Sequence, residues 1–450
     1  MKKLLLSFSL IALTSTINAQ WTSQATGFAA ASRGLSDIRI VDANTVWALA
    51  YDGSGGGANI QEFTRTTNGG SSWTPGIVDM GNALLEINNL IPVSSTTAWV
   101  SAINNTTGDP NIGVGFIYKT IDGGVSWNQQ LATGFQTAGA SFLNGAYFFN
   151  ANVGVAYGDP IGSGLGEFEI YRTIDGGANW TQISAAALPN PLSGEYGYNS
   201  TPTAVGSTLW FPTNKGRLYR TDDMGVTWSV AQAPLTDFGA ALPANSGNVH
   251  FSSTTSGCLL KTSGTVATPV YSFYTTSNGG TTWSPATTFT GTRRILTYVP
   301  GTTTIVATSQ AAPVGTSVSV NNGTSWTDVE SSAQRGASAF LNATTGWCAG
   351  FSTDALTDGI FQLTSPLANQ SFTTSKFSVY PNPASSNVTI SATDVDAYQL
   401  SVTDLSGKVV MAKSLNGIEN TVDVSALSSG AYFFTLSSDN KKETVKILKN

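Results

Sequence analysis

Few side chains in these 450 residues are equipped for chemistry. The single histidine, His250, stands in a strand-like run, and no cysteine–histidine metal spacing exists, so a zinc site and a serine–histidine relay are both improbable. Cys258 and Cys348 sit in apolar runs and read as buried free thiols rather than as a disulfide framework. What remains is carboxylate and guanidinium chemistry. Asp109 and Asp159 each stand in a Gly-Asp-Pro tripeptide, which also simply opens turns, and Glu195 stands in Gly194-Glu-Tyr-Gly-Tyr198. Asp159 and Glu195 are the candidates for the two carboxylates that a glycosidase places around one bond. Arg33, Arg294 and Arg335 each precede a strand-like run, and three such forks at one place, with Asp109 nearby, would grip a carboxylate or phosphate bidentately. Arg65, Lys119, Arg172 and Arg220 instead recur at one repeat position and read as packed strand residues with solvated heads. No metal or cofactor is called for.

Whether these groups share a site depends on the elements that carry them, and those elements repeat. Six copies of one turn run through the chain: Thr66-Thr-Asn-Gly-Gly-Ser-Ser-Trp73, Thr120-Ile-Asp-Gly-Gly-Val-Ser-Trp127, Thr173-Ile-Asp-Gly-Gly-Ala-Asn-Trp180, Thr221-Asp-Asp-Met-Gly-Val-Thr-Trp228, Thr276-Ser-Asn-Gly-Gly-Thr-Thr-Trp283 and Ser319-Val-Asn-Asn-Gly-Thr-Ser-Trp326. Their tryptophans are 54, 53, 48, 55 and 43 residues apart, the length of a four-stranded propeller blade. The third residue (Asn68, Asp122, Asp175, Asp223, Asn278, Asn321) accepts backbone N–H groups of its own turn, and the glycine two residues later permits positive φ. The closing tryptophan (Trp73, Trp127, Trp180, Trp228, Trp283, Trp326) buries a large face. These are structural roles. A calcium role would need further carboxylates at fixed offsets, which the motif lacks.

The repeat resembles the Asp-box, or bacterial neuraminidase repeat, of sialidases, sortilin-type receptors and photosystem II assembly-factor-like propellers. The resemblance covers roughly residues 21–363 and implies a propeller with the boxes on the face away from any active site. It implies little about activity: sialidases hold a substrate carboxylate with an arginine triad, yet no Phe-Arg-Ile-Pro-type opening and no Tyr–Glu nucleophile pair can be placed here. Seven pairs of strand-like runs accompany the six boxes. The seventh, ending at Gly359-Ile-Phe-Gln-Leu363, meets no box, while Trp21-Thr22 copies the Trp-Thr or Trp-Ser pair with which most boxes end. The expected fold is therefore all-β: a seven-bladed β-propeller over 20–363, closed by an N-terminal strand near 21–25 that pairs with 359–363.

A Ser/Thr-rich linker at 364–375 leads to about seven short strands over 376–450, a small Ig-like β-sandwich. Tyr380-Pro-Asn-Pro383, Val402-Thr-Asp-Leu-Ser-Gly-Lys408, Leu427-Ser-Ser-Gly-Ala-Tyr-Phe433 and the basic end resemble the type A sorting domain of the Bacteroidetes type IX secretion system. That resemblance implies the secretion machinery as partner, removal of the tail, and release or attachment at the cell surface. The N-terminus agrees: Lys2-Lys3, an apolar run from Leu4 to Leu13 and Asn18-Ala19 read as a signal peptide over 1–19. No later run is long and apolar enough to span a bilayer, and a net charge of −6 argues against nucleic acid as a partner. The expected role is a secreted or surface-held binding scaffold with an anionic glycan or protein ligand at the propeller mouth. The competing role is a sialidase-like or polysaccharide-cleaving glycoside hydrolase.

Overall fold

A computed structural model describes residues 21–450 except 131–133, 138–139, 162–165, 200, 240, 243–245, 365–376, 393–396 and 439–440. The signal peptide expected over 1–19 falls outside the described residues, as does nearly all of the expected linker. The chain divides into two compact units, Met1–Leu367 and Ala368–Asn450.

The first unit is a seven-bladed propeller. Blades 1 to 6 are each four consecutive antiparallel strands, beginning at Arg33–Ile40, Leu85–Pro92, Leu143–Phe148, Thr203–Val205, Ser246–Phe251 and Ile295–Tyr298. Blade 7 has only three in sequence, Ser338–Asn342, Thr345–Asp354 and Thr357–Leu363. Its fourth is Trp21–Ala25, which pairs antiparallel from Trp21↔Leu363 to Ala25↔Gly359. The edge that blade 7 would leave open is thus filled by the other end of the ring.

The second strands are near-continuous apolar runs such as Val46-Trp-Ala-Leu-Ala50, because a blade's middle is covered on both faces by its neighbours. The core accordingly lies between blades. Seven hydrophobic clusters occupy the seven junctions, from Trp47 with Leu90 between blades 1 and 2 round to Trp347 with Ile38 between blades 7 and 1. Offset or parallel ring pairs set the spacing at three of them: Trp99–Phe148 at 3.7 Å, Tyr157–Phe211 at 4.5 Å and Trp210–Phe251 at 4.0 Å between centroids. Trp21 is buried in the junction of blades 6 and 7, where its Nε1 donates to Thr316 Oγ1 at 3.0 Å.

Each of the six repeated turns is internally bonded in one way. The opening Thr or Ser hydroxyl accepts the N–H four residues on at 2.8–3.0 Å, and the Asp or Asn side-chain oxygen accepts another at 2.9–3.0 Å. The two residues between are left-handed; Met224 and Asn322, both at φ +57°, hold the place that glycine fills in the other four.

The second unit packs a three-stranded sheet (Phe377–Tyr380, Asn387–Ala392, Glu419–Asp423) against a four-stranded one (Ala397–Thr403, Val409–Asn416, Gly430–Ser438, Lys441–Lys449). Phe377, Val388, Leu400, Val402, Phe434 and Ile447 are among the side chains between them.

Candidate functional site

Strand polarity separates two ends of the propeller. The box turns join third to fourth strands at one end; the segments into first strands and the loops from second to third strands meet at the other. Arg33, Asp109, Asp159, Glu195, Arg294 and Arg335 all belong to this second end, the mouth.

The three arginines are not brought together as one clamp and share no partner among the described residues. Arg33 is forked onto Glu62, at 2.9 Å from Nε and 3.4 Å from Nη2. Arg335 is forked onto Glu330 at 2.9 and 2.7 Å and lies over the Phe361 ring. Arg294 is stacked 3.8 Å from the Tyr271 ring centroid and donates to the Gly291 carbonyl. A fork already filled by a carboxylate offers little to a ligand. Arg293, which sequence reasoning passed over, is the most enclosed at 1 % exposed; it bonds Asp328, Ser317 and the carbonyls of Val314 and Glu330.

The repeat-position cations are more than solvated strand residues. Lys119, Arg172 and Arg220 donate to the box carbonyls Gly176, Met224 and Asn278 of the following blade, at 2.9, 2.8 and 3.1 Å. Arg65 donates instead to the Ser95 carbonyl, in the turn between the first and second strands of blade 2. Arg65, Lys119 and Arg220 also cover the buried rings of Trp47, Trp99 and Trp210. They staple one blade to the next at the end opposite the mouth.

The carboxylates differ sharply. Asp109 caps its own turn, accepting Asn104 Nδ2 at 2.9 Å and the Asn111 N–H at 2.8 Å, and the Asn104 bond chiefly holds its carboxyl below the usual range. Glu195 is sealed: Arg217 reaches it at 3.0 and 2.6 Å, Thr213 Oγ1 at 2.7 Å and the Leu192 N–H at 2.8 Å. Asp159 is held but not neutralised. Its Oδ1 accepts Asn144 Nδ2 at 2.7 Å and the Gly197 N–H at 2.8 Å, while burial pushes its pKa up to about 6. Asp159 opens onto a cleft of about 320 Å³ shared with Phe142, Tyr196, Tyr198 and Asn199.

The central channel forms a second cavity, about 500 Å³, lined by first strands of blades 1, 4, 5, 6 and 7. Arg39 pairs with Asp37 at 2.8 Å there, and Thr201 Oγ1 reaches Asp37 from across the ring at 3.2 Å. Burial pushes His250 down to about 4, so its imidazole is neutral at pH 7. Cys258 and Cys348 are unpaired and buried. Neither the channel pair nor the two tyrosines carried a sequence signal, since ordinary strand and loop residues look the same until the ring closes.

Residues 378–450 match the family described as the secretion system C-terminal sorting domain. The sorting tail makes the chain a secreted or cell-surface protein of the type IX route, and no helix among the described residues is long and apolar enough to cross a membrane. No curated protein matches the chain. Among solved structures, YCF48 bound to D1 peptide is 15% identical over 79% of this chain and 100% of its own, with a TM-score of 0.50. YCF48 from Cyanidioschyzon merolae is 15% identical over 77% and 99%, at 0.49. The polysaccharide lyase Uly1 is 14% identical over 73% and 89%, at 0.46. At such identities the likeness to the first speaks for the propeller fold alone.

Proposed function

We propose that this protein is an exported binding propeller without catalysis: the signal peptide and sorting tail carry it through the type IX machinery, and the mouth engages a ligand outside the cell. The observation that carries this reading is the state of Glu195. A nucleophile or general acid must be free to meet substrate, and this carboxylate, 0% exposed in its side chain, is consumed by the Arg217 fork. Arg33 and Arg335, whose forks are already filled by Glu62 and Glu330, argue the same way against a sialidase-like carboxylate clamp. One property favours the competing hydrolase: Asp159, raised to about 6, has the acidity of a general acid. It then lacks a partner, because the second candidate is Glu195.

The full chain should be offered to arrays of plant, algal and bacterial glycans and peptides, with reducing ends and unsaturated uronates measured in parallel. Binding without turnover is expected. Turnover that disappears in Asp159→Asn or Glu195→Gln would replace this reading with the hydrolase.

A further inference from the structure

We propose that the cleft between blades 3 and 4 is a binding site for a primary ammonium group, with Asp159 as its counter-ion and Tyr196 and Tyr198 as its walls. The proposal rests on the reading of the mouth as the ligand-binding end, and names the chemistry of what binds there.

The argument begins with charge. The carboxylates of Glu62, Glu195, Asp328 and Glu330 at this end are each answered by an arginine. Asp159 makes no ion pair among the described residues. Its two bonds, from the Asn144 amide and the Gly197 N–H, both go to Oδ1. Oδ2 has no hydrogen-bond partner among the described residues, and Asp159 lines the cleft. A half-buried carboxylate with no cation beside it is costly to ionise, which is the cause of its raised pKa. An arriving cation relieves that cost; an arriving anion compounds it.

The walls suit a cation too. Tyr196 is 44% exposed, and its ring meets that of Tyr198 edge to face, with centroids 5.7 Å apart at 72°. The Tyr198 hydroxyl donates to Asp237, which fixes its ring, and the Tyr196 N–H is held by Asn214 Oδ1 at 2.8 Å. Phe142 also lines the cleft. Ring faces beside a carboxylate form the environment that draws ammonium groups out of water. The close approach of the chain to Asn144 needs a small residue: a Cβ on Gly197 would lie 2.6 Å from Asn144 Nδ2 and displace the amide that holds Asp159.

An ammonium group reaches such a cleft on an amino sugar or on a lysyl side chain, and calorimetry on the full chain separates the two. The probes are a tetramer of glucosamine, its fully N-acetylated counterpart, and Nα-acetyl-lysine methylamide. At least one amine probe should bind and the acetylated tetramer should not. Asp159→Asn and Tyr196→Ala should each weaken the amine about 10- to 100-fold, as expected for loss of a charge-assisted contact, with unfolding midpoints checked to confirm folding. Which amine binds identifies the source. Equal binding of the acetylated and free tetramers, binding indifferent to Asp159→Asn, or no binding of either amine overturns the ammonium site. Those results leave the binding propeller standing if another array ligand still docks at the mouth, whereas turnover of a probe refutes the parent reading itself.

Discussion

Replacing Glu195 with Gln separates a structural carboxylate from a catalytic one. In the native protein the carboxylate is fully enclosed and the Arg217 side chain is 13% exposed, so both charges depend on each other. Without Glu195 the guanidinium keeps only the Tyr219 hydroxyl at 2.7 Å and the Asn190 carbonyl at 2.9 Å. Breaking one side of such a pair costs about 3–5 kcal/mol; the Gln amide still accepts one bond, so the lower end applies. Arg217→Met strands the carboxylate instead and should cost a similar amount. The double variant Glu195→Gln/Arg217→Met should cost less than the sum by about 0.5–3 kcal/mol, since neither charge is then left alone. Denaturant unfolding followed by tryptophan fluorescence is the assay, because all eleven tryptophans precede residue 364 and report the propeller alone. An unfolding midpoint equal to that of the wild type, together with lost binding or turnover in Glu195→Gln, would refute the reasoning and make Glu195 a working group of the site.

Trp21→Ala removes the buried ring that joins blades 6 and 7 and its bond to Thr316, and should cost about 3–5 kcal/mol; an unchanged midpoint would mean that the ring does not depend on this strand. Asp159 holds its proton to about pH 6 in the folded chain, against about 3.9 unfolded. The folded state therefore binds more protons between those values, and stability falls by about 3 kcal/mol as pH rises through them. Asp159→Asn should abolish that slope and be the more stable protein at pH 7, and parallel pH profiles of the two would contradict this. The box aspartates have the opposite sign: bonds from Asn179 hold Asp175 down to about 2, and Asp122 and Asp223 are also lowered. Their contribution is present above about pH 4 and lost on acidification toward 2, so the triple Asn variant should acid-unfold over a shallower range, as measured by fluorescence. Gly197→Ala forces Asn144 aside and should cost about 1–3 kcal/mol; crystallography would show the displaced amide, and an undisturbed one would mean that this close approach does not need glycine.

The fold was legible because its signals are local. A hydroxyl, an Asp or Asn, a left-handed residue pair and a tryptophan are all within eight positions of one another, and the hydrogen bonds that close the turn run between residues four apart. Counting strand pairs against boxes gave seven blades and left one outer strand missing, which Trp21–Ala25 supplies. The sorting tail was legible in the same way, from short runs such as Tyr380-Pro-Asn-Pro383 that need no distant partner to be recognised.

The site was not legible to that degree. Position in the repeat put Arg33, Arg294, Arg335, Asp109, Asp159 and Glu195 at one end, but it could not say what each charge meets. Arg33 finds Glu62 29 positions away and Glu195 finds Arg217 22 positions away, through pairings set by strand register and by which loop folds over which. Among the described residues Asp159 is left without a cation by the same accidents of packing, and Tyr196 and Tyr198 come beside it only because blade 4 follows blade 3 around the ring. The sequence by itself determined the turns, whose bonds are made within a few residues, and counting those turns against strand pairs gave the number of blades and the closing strand. Tertiary structure alone decided which charges are spent and which remain available, because the energy of a charge depends on the groups and the water around it, and these come from chain segments far apart in sequence.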